Sequence, residues 1–138
     1  MEYRRIDAGA FNDLWKLHVL YKIEIGEEAP GAEEKQRLLH AAEAGKIAFF
    51  GAFDGARLIG CCSVTVGFST FNYLPSGVFE DFYILTAYRH KGVARALVKC
   101  AAANAGVGSL TVGCADCDIA MYHALGFSLP LGNLLAYE

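Results

Sequence analysis

Hydrophobic positions along the chain change period several times, and each change marks an element. From Ile47 to Phe53 the run Ile-Ala-Phe-Phe-Gly-Ala-Phe carries no charge. It is too short for a buried helix and rich in the aromatic residues that strands favour. Asp54-Gly55 follows as a hairpin signal, and Arg57–Phe68 reads as the return strand. Asn72–Gly77 is a turn around Pro75. Val78–Leu85 is another strand, apolar except for Glu80 and Asp81 in its middle. Tyr3–Ile6 and Ser109–Gly113 are short strands, and Phe127–Tyr137 is strand-like with a turn signal at Gly132-Asn133. Elsewhere the spacing is helical. Phe11, Leu14, Trp15 and His18 recur on one face of a helix that Asp7 caps and that runs to about Ile23. After a break at Gly26–Gly31, Pro30 precedes a second helix over Ala32–Ala44, stopped by Gly45. The small-residue loop Arg89–Ala94 opens a third helix that ends near Asn104–Gly106. Asp116 or Asp118 caps a last one, ended by Gly126.

The order β-α-α-β-β-β-α-β-α-β sets the fold class. The middle hairpins require antiparallel pairing, and the strand–helix–strand from Val78 to Gly113 requires a parallel crossover. The expectation is an α/β fold: a mixed, mostly antiparallel sheet of six or seven strands, flanked by about four helices, in a single domain over 1–138. Hydrophobic residues are 54%, charged residues 20% and prolines only three, which argues against disorder. A net charge of −3 argues against a general nucleic-acid binder. The long uncharged segments Leu58–Phe79 and Ile119–Tyr137 are broken by polar residues, Pro or Gly, so neither reads as a membrane span. The N-terminus lacks the apolar stretch of a secretory signal. Five cysteines, two of them adjacent (Cys61-Cys62), fit no disulfide framework, so a cytoplasmic protein is expected. Cys114-Ala-Asp-Cys117 has no second pair to complete a zinc site, and the histidines show no H-x-x-x-H spacing. No metal is expected, and the cysteines read as buried, inert thiols. A Cys–His acyltransferase built on Cys61 or Cys62 ranks low, because a thiolate is unfavourable in an apolar strand.

Three features carry candidate chemistry. The first is Arg89-His90-Lys91-Gly92-Val93-Ala94, between a strand and a helix. Free amides and the helix dipole attract anions there, and Gly92 lets backbone approach a phosphate closely. Arg89, Lys91, Arg95 and Lys99 place four of the chain's twelve basic residues within eleven positions. The loop is neither a P-loop nor a dinucleotide loop. It reads as a polyphosphate cradle or as an ordinary helix start with a solvated basic face. The second is the pair Glu80-Asp81. Adjacent strand residues point to opposite faces, so in a central strand at least one acid needs a partner: a functional one, or backbone N–H groups and arginines. The third is an acidic stretch of Glu24, Glu27, Glu28, Glu33 and Glu34 with no base among them. It is either a wall that attracts a cation or a solvated segment beside a helix start. Aromatic residues such as Tyr21, Phe71 and Tyr73 are candidates to line a pocket.

The loop resembles the acetyl-coenzyme A loop of the GNAT N-acetyltransferase superfamily, whose signature is [QR]-x-x-G-x-[GA]. A second family motif, Tyr-x-x-x-Gly-Phe, stands at Tyr122-His123-Ala124-Leu125-Gly126-Phe127, and the element order is similar over nearly the whole chain. The resemblance implies that acetyl-CoA is held by Phe82, Tyr83 and Ile84 along the pantetheine arm and by Arg89, His90, Lys91, Gly92, Val93, Ala94 and Arg95 around the pyrophosphate. Glu80-Asp81, directly before the cofactor segment, is similar to the diamine N-acetyltransferase branch. That implies Glu80 as a base through water, Asp81 as a substrate or support residue, and Tyr122 as the acid that protonates the leaving thiolate. Tyr122 also has a plain packing role open to it on an apolar helix face. Glu28 lies in the helix-joining segment, the region that walls the acceptor site in that family, and Tyr21 is the aromatic candidate to line a substrate pocket. Many members have Asn-x-x-Ala-x-x-x-Tyr before the second motif, whereas Ala115 and Asp118 occupy those positions here. The implied activity is direct acetyl transfer to a primary amine of a small, cationic acceptor. A protein N-terminal or lysyl acetyltransferase, and a non-catalytic acyl-CoA sensor, are the alternatives. Dimers are common among proteins that resemble this one.

Overall fold

The computed structural model describes residues 1–138. Five strands form one sheet in the order β1 (Glu2–Arg5), β2 (Ile47–Asp54), β3 (Arg57–Ser69), β4 (Leu74–Ile84) and β5 (Ser109–Val112). The first three pairings are antiparallel and β4–β5 is parallel. The helices are α1 (Phe11–Glu24), α2 (Ala32–Glu43), α3 (Val93–Asn104) and α4 (Ile119–Ala124). None is long and apolar enough to cross a membrane.

β2 is uncharged and buried from Ile47 to Phe53, because helices cover both faces of the sheet. Its alternate residues Ile47, Phe49 and Phe53 pack with Phe11, Leu14 and Leu17 of α1, joined by Leu38 and Leu39 of α2. Ala48 and Phe50 turn the other way, against Leu97, Val98 and Ala101 of α3. The α1 stripe and the α3 stripe each repeat every three to four residues, the period that keeps one helix face on a sheet.

Three expectations about the elements are corrected. The sheet has five strands, not six or seven, because Phe127–Tyr137 forms none. Pro130 offers no amide, Gly132 has φ +99°, and no backbone hydrogen bond joins residues beyond Phe127 to the rest. Leu131, Leu134, Leu135 and Tyr137 are exposed there. The turn around Pro75 is also displaced: β4 begins at Leu74, and Pro75 lies opposite Phe68 in the ladder. At the N-terminal side, Asp7 caps a short 3₁₀ turn by accepting from the Ala10 amide (3.2 Å), and α1 starts only at Phe11.

Leu97 is fully buried between α3 and the sheet. Leu97→Ala is expected to lower unfolding free energy by about 2–5 kcal/mol in a denaturant titration, through lost burial plus the cavity left behind.

Candidate active site

β4 and β5 part company in the middle of β4. Their pairing runs from Ser76↔Ser109 to Phe79↔Val112 and stops. Beyond it, the β4 edge from Glu80 to Ile84 has no strand partner, although β3 still pairs along the other edge. The open edge leads into a tight turn and the start of α3. His90 (φ +61°) and Gly92 (φ +83°) are both left-handed, and Gly92 is the N-cap. Such a turn aims successive amides into one concavity. The amides of His90, Lys91, Gly92, Val93, Ala94 and Arg95 donate to no backbone carbonyl. With the positive end of α3 behind them, they form an anion cradle. His90, Lys91 and Arg95 are exposed, and Val93 anchors the turn in the core. Beside it lies a cleft of about 380 Å³ between Arg95 and Lys99 of α3 and Leu125 and Phe127.

Arg89 is different. Its Nε donates to the Ile84 carbonyl (2.7 Å) and its NH2 group to both Glu24 carboxylate oxygens (2.9 and 3.1 Å). The guanidinium also lies 5.4 Å from the centre of the Tyr83 ring. The arginine of the signature thus ties the end of β4 to the end of α1, and its charge is engaged inside the chain. Phe82, Tyr83 and Ile84 border the opened edge with their backbone. Their side chains are turned into the core, with Tyr83 and Ile84 buried.

The two acids do not lie on opposite faces. Cys61 pairs with Tyr83 and Ser63 with Glu80, so Cys62 alone opposes both Asp81 and Phe82. That is a β-bulge, and Asp81 takes a left-handed φ of +54° within it. The extra residue resets the alternation. Phe79 and Phe82 pack towards α3 and α4, while Asp81 accepts a 2.5 Å hydrogen bond from Ser63 Oγ on the α1 side. Glu80, the cross-strand partner of Ser63, shares that face and is exposed.

Tyr21 of α1 reports where these groups converge. Burial pushes its hydroxyl up to about 12, and Asp81, Tyr122, Glu27 and Glu80 add to the shift. Tyr122 rests its half-buried ring edge-on to Phe79 (6.5 Å) and Phe127 (5.9 Å). Burial raises its pKa as well, followed by Asp118, Cys114 and Cys62. The hydroxyl is therefore protonated at neutral pH. Glu80, Asp81 and Tyr21 share the α1 face, while Tyr122 packs with Phe79 on the other face, its charge still felt at the Tyr21 hydroxyl.

The acidic stretch does not form a wall. Glu24 is paired with Arg89, Glu27 with Lys22 (3.0 Å) and Glu33 with Arg37 (2.6 Å). Glu34 accepts from the Gly31 amide and so stabilises the start of α2. Glu28 alone has no partner, and it is exposed in the segment between the helices. Phe71 and Tyr73 are exposed at the β3–β4 turn, in no cluster with the residues above. The cysteines divide. Cys61 and Cys62 are buried, with thiols pushed up, Cys61 to about 12. Cys114 and Cys117 are exposed free thiols rather than buried ones, because they lie in the loop after β5 and in the short 3₁₀ turn Asp116–Asp118 that follows it.

Two residues of this region were not singled out from the sequence. Ser63 holds Asp81, and no local pattern marks it. His18 is buried on the sheet-facing side of α1, with the Trp15 and Tyr21 rings 5.5 and 6.1 Å away. A polar residue inside an otherwise apolar stripe was the available signal.

Comparison with known proteins bears on this geometry. A probable acetyltransferase of known structure superimposes with a TM-score of 0.83 at 19% identity, over 100% of this chain and 99% of that one. An aminoglycoside acetyltransferase from an uncultured soil metagenomic sample, in complex with sisomicin, gives 0.84 at 12% identity, over 99% and 94%. A predicted acetyltransferase with acetyl-CoA from Clostridium acetobutylicum gives 0.76 at 16%, over 99% and 95%. These likenesses establish the fold. No curated protein matches the sequence. Residues 45–129, which hold the parted strands, the amide cradle and Tyr122, match the acetyltransferase (GNAT) domain, and the chain belongs to that family.

Proposed function

We propose that the protein transfers an acetyl group from acetyl-CoA directly to the primary amine of a small, cationic acceptor. The observation that carries this reading is the continuity of three parts: an unpaired β4 edge, a run of free amides directly after it, and a protonated tyrosine beside the point where the strands part. The free edge suits the amides of a pantetheine arm, and the cradle suits a pyrophosphate. Arg95 and Lys99, at the cleft beside α3, suit the remaining phosphate charge. Acetyl-CoA, when bound, supplies a thioester carbonyl. Tyr122 then holds the proton that a leaving thiolate needs. Asp81, fixed by Ser63, offers an oriented negative charge to an ammonium. Glu80, at the exposed mouth on the same face, receives a proton through water. This pairing of roles follows the diamine branch. Support for a cationic acceptor comes from Asp81, Glu80 and the unpaired Glu28, since the other acids of the helix-linking segment are occupied. Tyr21, half-buried on the α1 face with Asp81, contributes an aromatic wall.

The first measurement is acetyl-CoA binding by calorimetry, followed by thiol release against polyamines, aminoglycosides, amino acids and peptides. Binding with release on a small polyamine or amino sugar supports the reading. Release on peptides alone points to a protein acetyltransferase, and binding without release on any amine points to a sensor. Tyr122→Phe is expected to lower kcat by about ten- to ten-thousand-fold, with acetyl-CoA affinity unchanged. An unchanged kcat removes the acid role. Gly92→Glu places a side chain and a negative charge in the cradle, at a φ that L-residues rarely adopt. It is expected to abolish acetyl-CoA binding while the circular dichroism spectrum is retained; normal binding refutes the cradle.

A further inference from the structure

Four cations stand in the loop after β4 and on α3: Arg89, Lys91, Arg95 and Lys99. Of these, Arg89 alone is in an ion pair. Its partner Glu24 is the last residue of α1, 65 positions away in the chain. Both carboxylate oxygens accept from the same NH2 group, at 2.9 and 3.1 Å. The two side chains are 33% and 49% exposed, and an ion pair so open to water adds little to folding stability. The placement of the guanidinium has another reason.

That reason lies at the end of β4. Gly60 of β3 stands opposite Ile84, and the Leu85 amide, one residue on, donates to the Ile59 carbonyl (2.9 Å). Ile84 is then a non-hydrogen-bonded position of the antiparallel ladder, so its own carbonyl points away from β3, to the unpaired edge. A neighbouring strand would satisfy that carbonyl. Here Arg89 Nε does so (2.7 Å), with the guanidinium 5.4 Å from the centre of the Tyr83 ring. The side chain takes the place of the missing strand at the last β4 carbonyl before the amide cradle.

We infer that Glu24 is a positioning residue for the acyl donor: it holds Arg89 across the end of the open β4 edge, and this closure fixes the register of the pantetheine arm on the strand. The inference rests on the acetyl-transfer reading above. An arm amide that found the Ile84 carbonyl free could pair with it instead of with a group nearer the parting point. The next equivalent position on a strand is two residues away, about 7 Å. A misplacement of about 1 Å at a reacting centre already costs about 100-fold in rate. Glu24 serves the closure in two ways. Its two oxygens fix the orientation of the guanidinium, and its charge offsets the pull of a pyrophosphate on Arg89. The phosphate charge is left to Lys91, Arg95 and Lys99. The rival role is a guanidinium that turns to phosphate, since the NH1 group of Arg89 has no partner within the chain.

The test is acetyl-CoA affinity by calorimetry and kcat at saturating acetyl-CoA, in wild type, Glu24→Gln, Arg89→Gln and the double variant, with Tm measured on each. Each single variant is expected to lose about 10- to 100-fold in kcat. The double variant is expected to lose no more than either single one, because both changes remove the same closure. Acetyl-CoA affinity is expected to change by less than about threefold. Arg89→Lys is expected not to restore turnover, because an ammonium lacks the planar fork that reaches Ile84 and Glu24 at once. The sign at Glu24 separates the roles. Unchanged kcat with tighter acetyl-CoA binding in Glu24→Gln, beside weakened binding in Arg89→Gln, makes Arg89 a phosphate ligand and overturns the positioning role. A lowered Tm with kcat unchanged overturns it as well and leaves a structural tie. Additive losses in the double variant overturn the pairing. In each of these cases release by wild type keeps acetyl transfer standing. Absence of release by wild type on every amine overturns the transfer reading and this role together.

Discussion

β4 is hydrogen-bonded on both edges as far as Phe79 and on one edge beyond it. Most of the candidate site follows from that one change. A parallel neighbour demands a crossover, and that crossover runs from the end of β4 through the short 3₁₀ turn Thr86–Tyr88 to the start of α3, so the amide cradle follows the open edge. Phe79, the last residue of β4 to pair with β5, is also the residue on which Tyr122 and Phe127 pack. The point of parting and the placement of the tyrosine are therefore one packing problem. A smaller side chain at Phe79 would loosen both together.

The bulge at Asp81 makes the second half of the site. In a regular strand, Glu80 and Asp81 would serve opposite faces, and only one could meet α1. The inserted residue turns Asp81 towards Ser63 and keeps Glu80 on the same side. A left-handed φ on an aspartate is strained less than on a β-branched or bulky residue, because its short polar side chain finds a local partner. Here that partner is Ser63 across the ladder. The strain and the hydrogen bond together fix where the negative charge points.

Local signals made much of this legible in the sequence. The uncharged run of β2, the hairpin at Asp54-Gly55, the glycine that opens α3 and the Tyr122 motif each depend on residues close together in the chain. What was illegible depends on pairing. Nothing near Asp81 announces that Cys62 will face two residues, so regular alternation gave the wrong faces. Phe127–Tyr137 is apolar enough for a strand, but Pro130 and a left-handed Gly132 interrupt the ladder it would need. His18 sat inside a correct helix and passed for core, because periodicity sees which face a residue occupies and not what lies opposite it. The acidic stretch failed as a wall for a related reason: its partners Arg89, Lys22 and Arg37 come from other turns and other elements.

Two cysteines sit in the strand next to this cluster, and their silence is part of the chemistry. A thioester exchanges readily with a thiolate, so a reactive thiol near the transfer point would compete with an amine for the acetyl group. Cys61 shares the α1 face with Asp81, and Cys62 lies across the ladder from it. Burial is the main cause that holds both thiols protonated, and the negative charge of Asp81 adds to it. A carboxylate that would favour a positive charge on an ammonium disfavours a negative one on sulfur. Burial and one fixed anion thus act on sulfur in the same direction, and both keep the two thiols protonated and unreactive beside the cluster.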